Sequence, residues 1–174
     1  MRRVLKILVS GCLGDAAIRF NETSVPVTSL IWSRWSSEGR LVHFCPELAV
    51  GLPVPRPAAE IVGGTAAGVL DGHAYVREIS GHDVTELFRA AARRALDRAR
   101  EAGVALAVLV DGSPTCGSSY VYDGSFSSRR VPGRGVAAEE LCRHGIPIFH
   151  QTELEAAAAL LAKLEEGPMW TSVS

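Results

Sequence analysis

The stretch VLKILVSGC, residues 4–12, decides the fold class because an apolar run leads directly into serine, glycine and cysteine. Val4 to Val9 is broken only by Lys6, which predicts a buried strand. It is too short for the core of a signal peptide. Three similar runs precede clusters of Gly, Pro or Ser and are also predicted to be strands: Leu41–Phe44, Leu106–Val110 and Ile146–Phe149.

Helical patterns alternate with these strands. The clearest begins at Asp83, with Glu86 as its predicted capping partner, and ends at Gly103. The other candidates are Thr28–Ser37, Val136–His144, and a segment from Thr152, with Glu155 as capping partner, to Gly167. Alternating strands and helices predict an α/β fold, a mostly parallel sheet flanked by helices, in one domain over residues 1–174.

The amino-acid composition and net charge exclude several classes of protein. Of the 174 residues, 47% are hydrophobic and 21% are charged, as in a globular protein rather than a disordered tail or a coiled coil. The formal net charge of −1 offers no general positive field for a phosphate backbone, so we expect no nucleic-acid polymer as partner. No apolar run approaches the roughly 20 residues that cross a bilayer, so we expect no membrane association and a cytoplasmic location.

Two segments lack helical signals. Pro46–Pro57 contains prolines at 46, 53, 55 and 57, which predicts an extended surface loop without helix. Gly112–Gly135 is rich in Gly and Ser and has no helical periodicity.

The positions of the cysteines are informative. Cys12, Cys45 and Cys116 each follow a predicted strand, and the carboxyl ends of parallel strands meet at one edge of a sheet, where ligands bind. We therefore expect these three thiols to converge. Cys142 lies in a helical run beside Leu141 and is assigned to the core.

Three thiolates in one place repel each other unless a cation neutralises them, which indicates a metal centre. Zinc is possible, but structural zinc sites usually bring CxxC pairs, and the sequence has none. An iron–sulfur cluster tolerates distant cysteines, and with three thiolates a four-iron cluster keeps one iron open to a substrate atom.

Several motifs resemble the 2-thiouracil desulfidase family along nearly the whole chain. The family's opening LVSACLLGxxxRYDG is similar to residues 8–21, although its final glycine is Glu22 here. The other family patterns are CPExxGGLxxPRxPAE at 45–60, DVTexF at 83–88, SPSCGsxxiYDGtF at 113–126 and GxGVtAaxLxxxGIxvF at 133–149.

The resemblance implies a Rossmann-like α/β domain that holds a [4Fe-4S] cluster through Cys12, Cys45 and Cys116 at the carboxyl edge of the strands. It implies an enzyme that removes sulfur from thiolated uracil, giving uracil and sulfide without net redox change. The expected partner is a small thiolated nucleobase, or its nucleoside or nucleotide. Cys142 matches no motif cysteine.

Two further residues are candidates for catalysis. Glu47, two residues after Cys45, is the carboxylate expected to activate water and protonate the heterocycle; the competing interpretation is a cap or salt bridge of the proline-rich loop. The Ser113 hydroxyl can bond a ring carbonyl or the attacking water, although Ser-Pro also starts ordinary turns.

The basic side chains are assigned less specific roles. Arg56 is expected to pair with Glu47 or Glu60, or else to contact substrate. Arg129, Arg130 and Arg134 form either a phosphate site for a nucleotide substrate or, by default, a solvated loop.

Three alternatives stay open. One is a related reaction on another thioamide. Another is a cluster-bearing sensor or binding module without turnover. The last is a metal-free α/β ligand-binding domain whose cysteines are simply buried.

Overall fold

The computed structural model describes residues 3–14 and 16–167. The strands are β1 (Lys6–Ser10), β2 (Leu41–Phe44), β3 (Ala59–Val62), β4 (Tyr75–Glu78), β5 (Val104–Leu109), β6 (Tyr120–Tyr122), β7 (Arg130–Pro132) and β8 (Ile148–His150). The helices are α1 (Leu30–Ser37), α2 (Pro46–Ala49), α3 (Ala66–Asp71), α4 (Thr85–Ala102), α5 (Val136–Arg143) and α6 (Leu154–Glu166).

The central sheet has the strand order β2-β1-β5-β8, and every neighbouring pair is parallel. These are the four strands that the apolar runs predict, so the α/β prediction is confirmed, with strand ends shifted by up to two residues. Val9 lies opposite His43 on one side and Val108 on the other. Ile7, Val9, Leu106 and Val108 are fully buried, as expected for inner strands covered on both faces.

Two short antiparallel strand pairs lie outside this sheet and were not predicted. They are β3-β4 and β6-β7. In β4, the exposed Tyr75 and Arg77 alternate with the buried Val76, so the strand lacks the continuous apolar run of the parallel strands. Helix α3, between β3 and β4, was also missed.

The helices cover the central sheet and the β3-β4 pair. Helix α6 contacts β5, β8 and α1, whereas α4 packs on α5 and also contacts α2, β2 and β4. One buried cluster includes the sheet, Trp32, Trp35 and Leu161, and a second joins β3 and β4 to Phe88 of α4 and Val136 of α5. Within the described ranges, no helix is long and apolar enough to span a membrane.

The predicted capping boxes are wrong. Helix α4 begins at Thr85, whose N–H donates to Asp83 Oδ1 at 2.9 Å, and Glu86 pairs with Arg89. At α6, the Thr152 hydroxyl bonds His150 Nδ1 and does not cap the helix. Glu86 thus pairs within α4 and Thr152 pairs with His150, so neither side chain completes a capping box.

Two further expectations need correction. Pro46–Ala49 forms the one-turn helix α2, because proline at the first helical position lacks only an N–H that would have no helical partner. Cys142 is half-buried on α5 and is not a core residue; its neighbour Leu141 fills the core position. Gly112–Gly135 is free of helix, as predicted.

Candidate functional site

Cys12, Cys45 and Cys116 meet at the carboxyl edge of the sheet. They follow β1, β2 and β5, and β1 lies between the other two strands. All three line one cavity of about 480 Å³. The convergence expected from the sequence is therefore present in the fold.

A glycine allows the first two of these loops to approach closely. The Gly11 N–H donates to Phe44 O at 2.9 Å, which ties the turn before Cys12 to the end of β2. A Cβ at Gly11 would lie 3.2 Å from Cys45 N and 2.8 Å from Ile18 Cδ1. A larger residue would push the two cysteine loops apart.

The thiols lie in an environment that disfavours negative charge. Cys12 is 8% exposed and Cys116 is 7% exposed, while Cys45 is partly buried. Burial is the main cause that raises the pKa of all three thiols, and the negative charge of Glu47 adds to it. Forming three thiolates here therefore requires a compensating cation.

The donor set consists of three cysteine sulfurs that line one cavity. Over residues 3–14 and 16–167, no group of three or more His, Cys, Asp or Glu side chains is arranged to hold a single metal ion. The three cysteines nonetheless share one cavity, and an iron–sulfur cluster is held by cysteine thiolates. Sulfur ligands are also those that iron–sulfur clusters use. The cysteines thus fit an iron–sulfur cluster.

The Ser10 hydroxyl forms a hydrogen bond with Cys116. Ser10 is 1% exposed, and its Oγ accepts the Val110 N–H at 3.0 Å. A hydrogen bond with the Ser10 side chain lowers the pKa of Cys116, against the larger opposing effect of burial. Ser10 thereby links the ends of β1 and β5 to the cavity.

Glu47 projects into the same cavity from α2. Its Oε1 accepts the Thr115 hydroxyl at 2.6 Å, and its Oε2 accepts Arg56 Nε at 2.5 Å. Arg56 also donates to Pro53 O at 3.1 Å. The carboxylate is thus fixed at both oxygens, and Arg56 has the pairing role expected for it.

Ser113 also lines the cavity, at the start of the turn that carries Cys116. Its Oγ accepts the N–H groups of Thr115 and Cys116 at 3.1 and 3.0 Å. Both interpretations of this serine are therefore compatible: it organises the turn, and its hydroxyl proton stays available to a second partner.

Sequence reasoning missed three residues around this site. Thr115, fully buried, bonds Glu47, and the position directly before Cys116 was the only signal for it. Glu60 and Phe126 line the cavity from β3 and from the loop after β6; Phe126 had no assigned role in the quoted motifs, and Glu60 was considered only as a partner of Arg56.

The three arginines with an open role lie outside the lining of this cavity. Arg129 Nε lies 3.8 Å from Asp123 Oδ2, and Arg134 Nη1 lies 3.3 Å from Glu139 Oε2. The Arg130 guanidinium stacks 4.5 Å from the centre of the Tyr120 ring. Each arginine already has a partner, as in the solvated-loop interpretation.

Comparison with known proteins agrees with this geometry. The family described as "2-thiouracil desulfurase" matches residues 7–153. "Uncharacterized protein YbbK" of Bacillus subtilis (strain 168) is 38% identical over 148 residues, covering 85% of this chain and 97% of that protein.

A solved structure is also similar. It is described as "[4Fe-4S]-dependent thiouracil desulfidase TudS", with a TM-score of 0.83 and 37% sequence identity over 91% of this chain and 99% of that chain. With a family match that spans most of the sequence and cysteines that share one cavity, the chain belongs to the 2-thiouracil desulfurase family.

Proposed function

We propose that this protein is a desulfidase that removes sulfur from thiolated uracil or a related thiocarbonyl nucleobase. The observation that carries the proposal is the shared cavity of Cys12, Cys45 and Cys116 in a member of this family. The similarity to a structure described as a [4Fe-4S]-dependent thiouracil desulfidase supports it.

The cofactor we propose is a [4Fe-4S] cluster held by Cys12, Cys45 and Cys116, with one iron left without a protein thiolate. When bound, such a cluster supplies a Lewis-acidic iron with affinity for soft thiocarbonyl sulfur, which makes the adjoining ring carbon more electrophilic. The chain's own contribution is to supply the thiolates, shield them from solvent and place a proton carrier beside them.

Glu47 is the proposed proton carrier. Each of its oxygens keeps a lone pair beyond the bonds from Thr115 and Arg56, so the carboxylate can accept a proton from water as the water oxygen attacks the ring carbon. When the C–S bond breaks, Glu47 returns that proton to the departing products. The thiocarbonyl and one water give a carbonyl and hydrogen sulfide, with no net oxidation or reduction.

Ser113 has the proposed role of orienting the heterocycle or the water. Because its Oγ already accepts two backbone N–H groups, its hydroxyl proton can be donated to a different acceptor. A ring carbonyl or the attacking water in the cavity can fill that place. Ser113 therefore positions a reactant, whereas Glu47 moves the proton.

The size of the cavity fits a small molecule. A volume of about 480 Å³ lies in the range of small-molecule pockets. Side chains of Phe20, Phe44, Phe88 and Tyr122 line it and suit a planar ring. We propose a free thiolated base, or its nucleoside or nucleotide, as substrate.

The test is sulfide release by protein purified and reconstituted with iron and sulfide under anaerobic conditions. We expect 2-thiouracil to give equal amounts of uracil and sulfide, and a panel of 4-thiouracil and thiouridines to rank the substrates. The matched control is Cys45→Ser protein treated identically. Wild-type protein that carries its cluster but releases no sulfide from any member of the panel would instead indicate a binding module without turnover.

A further inference from the structure

Glu60 is a further carboxylate of the cavity and has no cationic partner among the residues that the structure describes. It lies on β3, is 8% exposed and lines the same cavity as the cysteines and Glu47. Arg56 pairs with Glu47, and no Lys, Arg or His in the described part of the chain forms an ion pair with Glu60. A carboxylate this buried needs hydrogen-bond donors instead.

One oxygen of Glu60 accepts two such hydrogen bonds. Glu60 Oε1 accepts the N–H groups of Gly124 and Phe126 at 3.0 and 3.3 Å. Phe126 has a φ of 56°, a left-handed conformation that is unfavourable for a bulky side chain. These bonds hold the Phe126 backbone in that conformation and fix the loop against β3.

The other oxygen remains available. Within residues 3–14 and 16–167, Glu60 Oε2 accepts no hydrogen bond, and it is not among the polar atoms sealed from solvent without a partner. Because the residue lines the cavity and its Oε1 is occupied by the loop, Oε2 is the carboxylate oxygen left for a molecule in the cavity. A carboxylate oxygen only accepts, so its partner has to be a donor.

We propose that Glu60 is a specificity-determining residue whose Oε2 accepts a ring N–H of the substrate. The inference rests on the proposed function, since a thiolated pyrimidine carries N–H groups beside its carbonyl and thiocarbonyl carbons. A site built to bond an N–H discriminates strongly against an analogue without it, because the buried acceptor is then left unpaired. Glu60 thus separates thioamides with a free ring N–H from those that are fully substituted.

The variant Glu60→Gln separates this role from the structural one. The amide oxygen of glutamine can still accept the Gly124 and Phe126 N–H groups, so the loop keeps its support. The amide nitrogen replaces Oε2 with a donor, which cannot accept a ring N–H. We expect the KM for 2-thiouracil to rise about 10- to 100-fold, the range for a lost hydrogen bond to a charged group, with iron content unchanged. The matched control is Glu155→Gln at an exposed position of α6.

Methylated substrates locate the bond. In wild-type protein, methylation of one ring nitrogen of 2-thiouracil should lower kcat/KM by about tenfold or more. In Glu60→Gln the same methyl group should have little further effect, because the acceptor is already gone. A KM within about twofold of wild type, or an equal methyl effect in both proteins, overturns the proposal.

Binding of uracil distinguishes the two proposals. Uracil has the same ring N–H groups but no sulfur, so calorimetry measures the Glu60 contact without turnover. We expect Glu60→Gln to bind it about tenfold more weakly than wild type or worse. If wild-type protein releases no sulfide but shows this difference, the desulfidase proposal is wrong and the N–H contact stands. Equal affinity, or no measurable uracil binding by wild type, overturns the Glu60 proposal.

Discussion

The Thr115 hydroxyl donates a 2.6 Å hydrogen bond to Glu47 Oε1 across the end of the sheet. Glu47 follows β2 and Thr115 follows β5, with β1 between those strands. Thr115 is fully buried and directly precedes Cys116. The bond therefore couples the position of the carboxylate to the loop that carries the third cysteine.

Glu47→Gln should keep the iron and lose most turnover. The amide is nearly isosteric but cannot accept a proton, and general acid–base catalysis typically contributes about 100-fold or more. The measurements are sulfide release and iron content per chain. Glu101→Gln, an exposed glutamate on α4, is the matched control. Full activity in Glu47→Gln would remove its role as proton carrier.

Thr115→Val should reduce kcat while the protein stays folded. Valine fills the same volume but removes the donor to Glu47, and a hydrogen bond to a charged group contributes about 1.5–3 kcal/mol. We expect a loss of roughly tenfold or more in kcat and recovery in Thr115→Ser, which restores the hydroxyl. Equal kcat values for the valine and serine variants would show that this bond does not position the carboxylate.

Serine substitutions at the cysteines should divide into two groups. Cys12→Ser, Cys45→Ser and Cys116→Ser should each lose most of the roughly four irons of a [4Fe-4S] cluster, whereas Cys142→Ser should retain them because Cys142 does not line the cavity. Iron and sulfide assays on anaerobically purified protein measure the difference. Loss of iron in Cys142→Ser alone would show that the ligand assignment is wrong.

Gly135→Ala should damage the turn beneath the site. An added Cβ would lie 2.4 Å from the Thr115 carbonyl carbon and oxygen and 2.8 Å from Cys116 N, all backbone atoms. We expect a loss of about 1–3 kcal/mol in the free energy of unfolding, together with lower iron content. Gly133→Ala is the control, since its nearest contact would be 3.5 Å from Val121 Cγ2. Similar denaturation midpoints for the two variants would contradict this expectation.

We expect Asp111 to make the free energy of unfolding fall at acidic pH. Burial alone would raise the pKa of Asp111, but hydrogen bonds from Ser119, Tyr120 and Ser118 outweigh it and lower that pKa. The carboxylate therefore stabilises the fold above its unfolded pKa of about 3.9, and this contribution is lost as pH falls through the lower folded pKa.

The measurement is the free energy of unfolding from about pH 6 down to 3. We expect wild-type protein to lose stability more steeply than Asp111→Asn at the acidic end, and the variant to be less stable by about 1–3 kcal/mol at neutral pH. Asp97→Asn, at an exposed position, is the control. Parallel pH curves for wild type and Asp111→Asn would contradict the assignment.

The sequence was sufficient for the parallel sheet because each of its strands is a local apolar run. The two antiparallel strand pairs could not be found in the same way. In β4, for example, the charged Arg77 and Glu78 interrupt the apolar pattern because only one face of the strand is buried. The predicted capping partners were wrong because these side chains bind other groups; Glu86, for example, pairs with Arg89.

For the site, the cysteines were predictable because parallel strands end at one edge. The hydrogen-bond partners of the Glu47 and Glu60 carboxylates were not predictable. Thr115 and Glu47 are 68 residues apart, and Glu60 and Gly124 are 64 apart, so only the folded chain brings each pair together. The conformation of Phe126 likewise follows from its tertiary bond and not from its own preference.

The placement of β1 between β2 and β5 also sets the stage of folding at which the three thiols can meet. On the ribosome, Cys12 and Cys45 emerge well before the segment that carries Cys116, and the third thiol reaches the others only after β5 docks beside β1. A nascent chain that stops short of this docking offers two thiols and no complete set. The complete set of three thiols therefore exists only on a chain whose strands β1, β2 and β5 are already assembled.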